Sequence, residues 1–270
     1  MALYLFNLTC LSRGKGTSGL RKSAYINGEK LYNERDGTTH DFTHKKDIVY
    51  RKLLLPVNAL PEFGDHQIFW NAVERAEKRK DSRTAKEIVL GLQREFSLTT
   101  SIALVEKFVC NCILPMGMCA DIAIHAGHKK NSNDVTTNHD ITSPHNPHCH
   151  ILITDRPLDK NGFCDKKNPD WNDNRHLKKW REEWDAIQNK EFTLKGLDVK
   201  DFSHKSYKER GIDKKPTRHL GPVVSRMKER GLETRLIKIN RDIEKENELK
   251  RLQQNQKREQ EQTRKQSLER

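Results

Sequence analysis

Two short segments in which apolar and polar residues alternate constrain the fold of this chain more than any other feature of its sequence. The first, MCADIAIH, covers residues 118–125, and the second, HCHILITD, covers residues 148–155. Successive side chains of a β-strand point to opposite faces of a sheet, so each segment predicts a strand with one apolar face. The order of the elements makes an antiparallel hairpin plausible, with residues 126–147 as a long polar loop between its strands.

Three histidines lie on the less apolar face of this predicted hairpin. His148 and His150 are two residues apart and project to the same side of their strand, and His125 ends the matching face of the neighbouring strand. If the strands pair, the three imidazoles converge and can hold one metal ion. Two alternatives stay open in a chain with twelve histidines: the H-x-H pair is structural, or a zinc site uses Cys119 or Cys149. Cys149 faces away from its histidine neighbours if the strand is regular.

The remaining elements predict a mixed α and β fold. Further strands are expected at 2–9, 47–55 and 85–96, and helices at 17–32, 66–80, 98–112 and 174–189. With the hairpin, these patterns give about five strands. We therefore expect an α+β fold built on an antiparallel sheet of about five strands.

The composition changes near the C-terminus. From Leu232 to Arg270 there is no glycine, proline or aromatic residue, and lysine, arginine, glutamate and glutamine dominate. A brief apolar stripe fades near Leu252, which predicts a solvated helix. We accordingly divide the chain into a domain over residues 1–230 and a charged helical extension over residues 231–270.

The charge and cysteine content narrow the class of protein. The formal net charge of +13 and the pI near 9.4 favour a polyanionic partner, without separating DNA from RNA or an acidic membrane. No apolar stretch approaches the roughly 20 residues of a membrane span, and the N-terminal apolar run has no basic residue before it, as a signal peptide would. The six cysteines show no disulfide-framework spacing, so we expect reduced thiols in a cytoplasm.

Several motifs resemble one known family in the same order. AIHAGHKK, followed by NPHCHILIT, is similar to the metal motif of the MobA/MobL-type plasmid mobilisation relaxases, which belong to the HUH endonuclease superfamily. SRGKGTSGLRKSAYINGEKLYNERDGTTHDFTHK resembles the opening of that family, and HKSYKERGID and HLGP resemble its terminal block. The resemblance covers about residues 1–230. It implies helices on one face of the sheet, with the metal and DNA on the other.

The resemblance also implies a reaction and the residues that perform it. Tyr25 would attack a phosphodiester at a plasmid transfer origin, nick one strand and form a 5′-phosphotyrosine link that is later resealed. The metal ligands would be His125, His148 and His150. Imidazole ligands suit Mn²⁺ better than Mg²⁺, although both remain candidates.

An acidic residue near the metal and a set of basic residues that bind DNA are also expected to take part in this reaction. The resemblance implies that Glu87 lies near the metal, where a carboxylate can orient an imidazole. The family often has a second acid two positions later, where this chain has Val89, which weakens a general-base role for the strand. DNA is expected to bind at basic residues around the active-site entrance, with the loop 126–147 as a flap. These basic residues are Arg13, Lys15, Arg21 and Lys22.

The family implies partners, and two rival functions stay open. The implied partners are single-stranded origin-of-transfer DNA, accessory mobilisation proteins, a coupling ATPase and a type IV secretion channel, without membrane insertion. One rival is a rolling-circle replication initiator nuclease, which uses the same chemistry at a different origin. The other is a non-catalytic DNA-binding protein whose histidines hold a structural zinc ion.

Overall fold

A five-stranded antiparallel sheet forms the centre of the computed structural model, which describes residues 4–57, 59–126, 146–199 and 202–268. The strands are β1 (Phe6–Ser12), β2 (Lys30–Asn33), β3 (Thr38–Asp41), β4 (Ile48–Leu54), β5 (Arg83–Gly91), β6 (Ala120–His125), β7 (His148–Thr154), β8 (Leu158–Asp159) and β9 (Gly162–Phe163). The helices are α1 (Gly19–Asn27), α2 (His66–Ala76), α3 (Leu98–Cys112), α4 (Asn174–Leu194), α5 (Gly221–Glu229) and α6 (Arg235–Leu268). The strand order in the large sheet is β1-β5-β7-β6-β4.

The hairpin predicted from the alternating segments is present at the middle of this sheet. Strands β6 and β7 pair antiparallel, with His125 opposite His148 and Ala123 opposite His150. The isoleucines of both strands lie in one core cluster, whereas the histidines lie on the opposite face. The predicted α+β fold with a five-stranded antiparallel sheet is therefore confirmed.

Helices cover more of the sheet than the sequence suggested. The strongly apolar face packs against α3 and α4, for example through an edge-to-face contact of Phe6 in β1 with Phe108 in α3. The histidine-bearing face is partly covered as well, by α1 and α2, whose buried Leu20 and Trp70 pack with Leu152 of the sheet. These two amphipathic helices each need an apolar surface, and the small and apolar side chains of this face provide it.

The first helix is shorter than expected. Ser18 caps its start, its hydroxyl accepting from the backbone N–H of Arg21 at 3.3 Å. The helix ends at Asn27 because Gly28, at a φ of +62°, takes the left-handed conformation that closes a helix. The expectation of a helix reaching Tyr32 is therefore wrong, and Tyr32 lies on β2, which pairs with β3.

One helical segment is long and apolar enough to cross a membrane by length and composition alone, which the sequence analysis did not anticipate. This segment, Leu98–Met116, includes α3 and the turn after it. Its residues Val105, Phe108 and Val109 are buried in the core cluster on the apolar face of the sheet. The apolar composition of α3 is thus what this helix needs to pack against the apolar face of the sheet.

The chain forms two compact units, residues 1–204 and residues 205–270. The boundary precedes the division at residue 230 expected from the sequence, because α5 and the segment before it associate with α6. Within this second unit, the side-chain amide of Asn240 bonds the backbone N–H and carbonyl of Arg218, and Asn247 bonds those of Lys215 in the same way. The predicted C-terminal charged helix is present and is largely exposed where its side chains are described.

Candidate active site

Three histidines form a tight cluster on the sheet face opposite the main apolar core. One ring nitrogen from each of His125, His148 and His150 lies within 4.8 Å of the other two. The cluster follows from the register, since His125 and His148 are direct cross-strand partners and His150 is two residues along the same face. The hairpin thus brings together the three histidines as its pattern indicated, while their role as metal ligands stays a prediction.

The second nitrogen of each imidazole has a hydrogen-bond partner. Nδ1 of His150 lies 2.6 Å from Oε1 of Glu87, Nδ1 of His148 lies 2.9 Å from the carbonyl of Asn146, and Nε2 of His125 lies 2.7 Å from the carbonyl of Ile26. Such outer partners fix the tautomer and ring orientation of a metal-binding histidine. The donor set therefore fits a divalent metal ion, with Nε2 of His148, Nε2 of His150 and Nδ1 of His125 as the nitrogens left for it.

Burial keeps two of these imidazoles neutral. It lowers the pKa of His125 to about 4, where the hydrogen bond to the Ile26 carbonyl opposes the shift and the neighbouring charges of His150 and Lys45 add to it. Burial also lowers the pKa of His148. Only the neutral ring can give a lone pair to a metal, so this electrostatic environment suits coordination near neutral pH.

Glu87 connects the cluster to the first helix. Glu87 lies on β5, and its carboxylate is between His150 and Lys22. Oε1 of Glu87 is 2.9 Å from Nζ of Lys22. Burial alone would raise the pKa of Glu87, but the hydrogen bond with His150 and the charge of Lys22 outweigh it and hold the pKa below its usual value. Glu87 is therefore ionised and able to orient His150, as the resemblance implied. A part for it in catalysis remains a prediction.

Tyr25 lies on α1 with its ring between two lysines. The ring is 39% exposed, and its centroid is 3.8 Å from Nζ of Lys45 and 5.0 Å from Nζ of Lys22. Phe42 packs edge-on against the same ring, at 5.4 Å between centroids and 87° between planes. Tyr25 is thus held by neighbours yet open to solvent, as a group that must meet a large substrate requires.

A buried carboxylate holds this helix on the sheet. Asp121 of β6 is fully buried and accepts hydrogen bonds from the Ser23 hydroxyl at 2.6 Å, from the Asn27 amide at 3.0 Å and from Nε1 of Trp70 at 2.8 Å. Ser23 and Asn27 are one helical turn apart, and Tyr25, midway between them, lies on the other side of the helix. Sequence reasoning did not single out Asp121, although an acid within an apolar strand is itself a signal of a buried partner.

The four basic residues predicted to bind DNA have different environments. Arg13 is only 7% exposed, and its guanidinium pairs with the buried carboxylate of Glu74 at 2.6 Å. Its donors are thus used inside the protein, and a contact of Arg13 with DNA stays a prediction. Lys22 pairs with Glu87, while Lys15 and Arg21 are exposed.

Arg13 and Lys15 are also remote from the histidines along the sheet. They follow Ser12, which pairs with Arg83 at one end of β5, whereas His148 pairs with Gly91 at the other end. Arg21 and Lys22 lie on α1, which carries Tyr25, and are the better placed of the four. The flap expected at 126–147 falls almost wholly outside the described residues.

A family model and several known proteins match this chain. The model of the MobA/MobL family matches residues 17–230. The conjugal transfer protein TraA of Agrobacterium fabrum is 32% identical over 92% of this chain and 24% of its own length. The mobilization protein MobL of Acidithiobacillus ferridurans is 29% identical over 85% of this chain and 65% of its own length.

A solved structure has a similar fold. It is described as "Molecular Basis of Vancomycin Resistance Transfer in Staphylococcus aureus", and it is 33% identical, with a TM-score of 0.64. The match covers 76% of this chain and all of the other. By contrast, this chain spans only about a quarter of the length of the TraA relative.

Proposed function

This chain belongs to the MobA/MobL family, and on that premise we propose that it is a relaxase that nicks one DNA strand at a plasmid transfer origin. One observation carries the proposal. A partly exposed tyrosine, Tyr25, is connected to the three-histidine cluster through Lys22, which contacts its ring, and Glu87, which pairs with both Lys22 and His150. A nucleophile beside a metal-binding triad is the arrangement that metal-assisted strand transfer requires.

In the proposed reaction, Tyr25 makes a covalent bond that it later releases. Its phenolic oxygen attacks the phosphorus, the bond from phosphorus to the 3′ oxygen breaks, and the 5′ phosphate stays on the tyrosine. The departing 3′ oxygen takes up a proton and leaves a free hydroxyl. Reversal of these steps reseals the strand. A phenolate leaves more readily than an alkoxide because phenol is the stronger acid, so the link is reversible.

The three histidines would hold the metal ion that this reaction uses. When bound, a divalent ion supplies positive charge and open coordination positions for the phosphate oxygens. Glu87 keeps the His150 ring in the orientation that presents Nε2, and the carbonyls of Asn146 and Ile26 do the same for the other two rings. Three nitrogen donors favour Mn²⁺ over Mg²⁺, which prefers oxygen.

The DNA partner is proposed from charge and from the family. Lys15 and Arg21 are exposed, and the chain carries a net charge of +13, which supports binding to a phosphate backbone. Relatives described as conjugal transfer and mobilization proteins support transfer-origin DNA as the substrate. Accessory mobilisation proteins, a coupling ATPase, a type IV secretion channel and a cytoplasmic location complete the proposal.

A structural zinc site with cysteine ligands has less support. Cys149 lies in the apolar core cluster, on the opposite face from the histidines. Cys119 lies in the second buried cluster and is not among the residues whose ligand atoms come together in the histidine cluster. A rolling-circle initiator would share the chemistry proposed here and differ only in the origin on which it acts.

Covalent capture on DNA tests the proposal. The purified protein is incubated with Mn²⁺ and the supercoiled plasmid that carries its gene, and denaturing gels are scored for protein–DNA adducts. The wild type and Tyr32→Phe, which changes an exposed tyrosine on β2, should form the adduct, and Tyr25→Phe should not. DNA binding by Tyr25→Phe should stay within a few-fold of wild type, because binding depends on charge. An adduct of normal yield from Tyr25→Phe would exclude Tyr25 as the nucleophile.

A further inference from the structure

Lys45, the last residue of the segment that resembles the family's opening, lies against Tyr25, the proposed nucleophile. It belongs to the connection between β3 and β4, where its backbone N–H closes a turn on the carbonyl of Phe42 at 3.0 Å. Its Nζ is 3.8 Å from the centroid of the Tyr25 ring, within the distance of a strong cation–π contact. Its side chain is only 10% exposed, so water screens this contact weakly.

The charge of Lys45 is less compensated than that of the other lysine on this ring. Lys22 lies 5.0 Å from the centroid and makes a close ion pair of 2.9 Å with the buried Glu87. The acid that pairs with Lys45 is Asp47, at the longer distance of 3.8 Å. Asp47 also lies 3.6 Å from Nδ1 of His125, the nitrogen left for a metal ion. Lys45 therefore presents the stronger net positive charge to the ring.

We propose that Lys45 stabilises the phenolate form of Tyr25 while the tyrosyl–phosphate bond forms and breaks. The negative charge of a phenolate spreads into its ring, and an ammonium over the ring attracts it more strongly than it attracts a neutral phenol. The contact is thus stronger in the transition state than in either ground state, which is the condition for catalysis. This inference rests on the proposed nucleophilic role of Tyr25.

Resealing and cleavage both place a negative charge on the ring of Tyr25. In resealing, the 3′ hydroxyl gives its proton to water and attacks the phosphorus, and the bond between phosphorus and the Tyr25 oxygen breaks. The electron pair of that bond stays on the phenolate, opposite the Lys45 ammonium, until the phenolate takes a proton from water. In cleavage, the proton leaves the phenol before or during attack, and the same charge develops on the same ring.

Replacement of Lys45 tests this role in both directions of the reaction. Lys45→Met keeps the length of the side chain without its charge, Lys45→Arg keeps the charge, and Lys46→Met removes a charge from an exposed neighbour. Single-turnover cleavage and resealing are measured on the wild type and each variant, together with the Kd for DNA. Lys45→Met should slow both directions by about tenfold, or roughly 1.4 kcal/mol in the barrier. Lys45→Arg and Lys46→Met should stay within about threefold of wild type.

Two outcomes would overturn the inference. One is unchanged cleavage and resealing by Lys45→Met, and the other is a defect confined to the Kd for DNA, which would make Lys45 a phosphate contact. Failure of the proposed function itself would look different, since Tyr25→Phe would then form the adduct. Absence of activity in Tyr25→Phe with full activity in Lys45→Met would refute only the role of Lys45.

A change in the phenol separates an electrostatic role from a structural one. With Tyr25 replaced by difluorotyrosine, the phenolate is intrinsically more stable and needs less help from a cation. The defect of Lys45→Met should therefore shrink by about threefold or more in that protein. An equal defect with tyrosine and difluorotyrosine would mean that Lys45 only supports the fold, and would overturn the inference. If Lys45→Met does not fold, the same comparison is made with Lys45→Gln.

Discussion

Replacement of Asp121 by alanine should loosen the helix that carries the nucleophile. The Asp121 carboxylate is fully buried and accepts from Ser23, Asn27 and Trp70 at 2.6 to 3.0 Å. Two of these donors belong to α1 and the third to α2, so a single side chain joins both helices to β6. Alanine would leave all three donors buried without this acceptor.

The size of the effect can be estimated from these contacts. A buried donor left without its partner costs about 1–3 kcal/mol, and here three donors lose the same acceptor. Relaxation of the Ser23 hydroxyl towards other acceptors would recover part of this. We expect Asp121→Ala to lower the free energy of unfolding by about 3–5 kcal/mol, a large part of the roughly 5–15 kcal/mol that stabilises a domain.

Denaturant unfolding followed by circular dichroism measures this loss, and a surface pair provides its control. Asp81→Ala removes the partner of Arg79 from a pair whose side chains are 53% and 81% exposed, so it should cost no more than about 1 kcal/mol. Asp121→Ala should also lose nicking under conditions in which its sheet remains folded, because Tyr25 would no longer be held in place. A loss of stability below about 1 kcal/mol, or a loss equal to that of Asp81→Ala, would refute the view that Asp121 anchors α1.

Two further predictions concern the metal centre. The single variants His125→Ala, His148→Ala and His150→Ala should each lose Mn²⁺-dependent nicking. Each should also lose bound metal, as measured by elemental analysis. A variant that keeps both nicking and metal would exclude its residue from the set of metal ligands. Glu87→Gln should weaken metal binding by about 10–100-fold in calorimetric titration, because the neutral amide orients His150 less firmly. Unchanged metal affinity in Glu87→Gln would contradict the orienting role that we infer for Glu87 from its 2.6 Å distance to His150.

Strand alternation was sufficient to predict the histidine cluster. In 118–125 and 148–155 the apolar residues fall on one face and the histidines on the other, and pairing of adjacent strands then leaves little freedom. The observed register, with His125 opposite His148, follows directly from that pattern. The alternation of side chains between two faces depends on residues that are close together along each strand. It can therefore be predicted from the sequence alone.

Contacts between distant elements could not be predicted in this way. Ser23 and Asp121 are 98 residues apart, and the approach of Lys45 to Tyr25 depends on how the β3–β4 connection meets α1. Arg13 was expected at the active-site entrance as a DNA contact, and its pairing with the buried Glu74 of α2 had no signal in the sequence. The early end of α1 did have a signal, since an Asn-Gly pair at residues 27–28 favours termination of a helix.

The position of the covalent link tests the central claim most directly. The wild-type adduct is digested with nuclease and trypsin, and the modified peptide is identified by mass spectrometry. Cleavage after Lys22 and Lys30 releases SAYINGEK, whose only tyrosine is Tyr25, and cleavage after Arg35 releases LYNER, whose only tyrosine is Tyr32. We predict a 5′-phosphonucleotide on SAYINGEK. The same modification on LYNER, or on any peptide without Tyr25, would contradict the account.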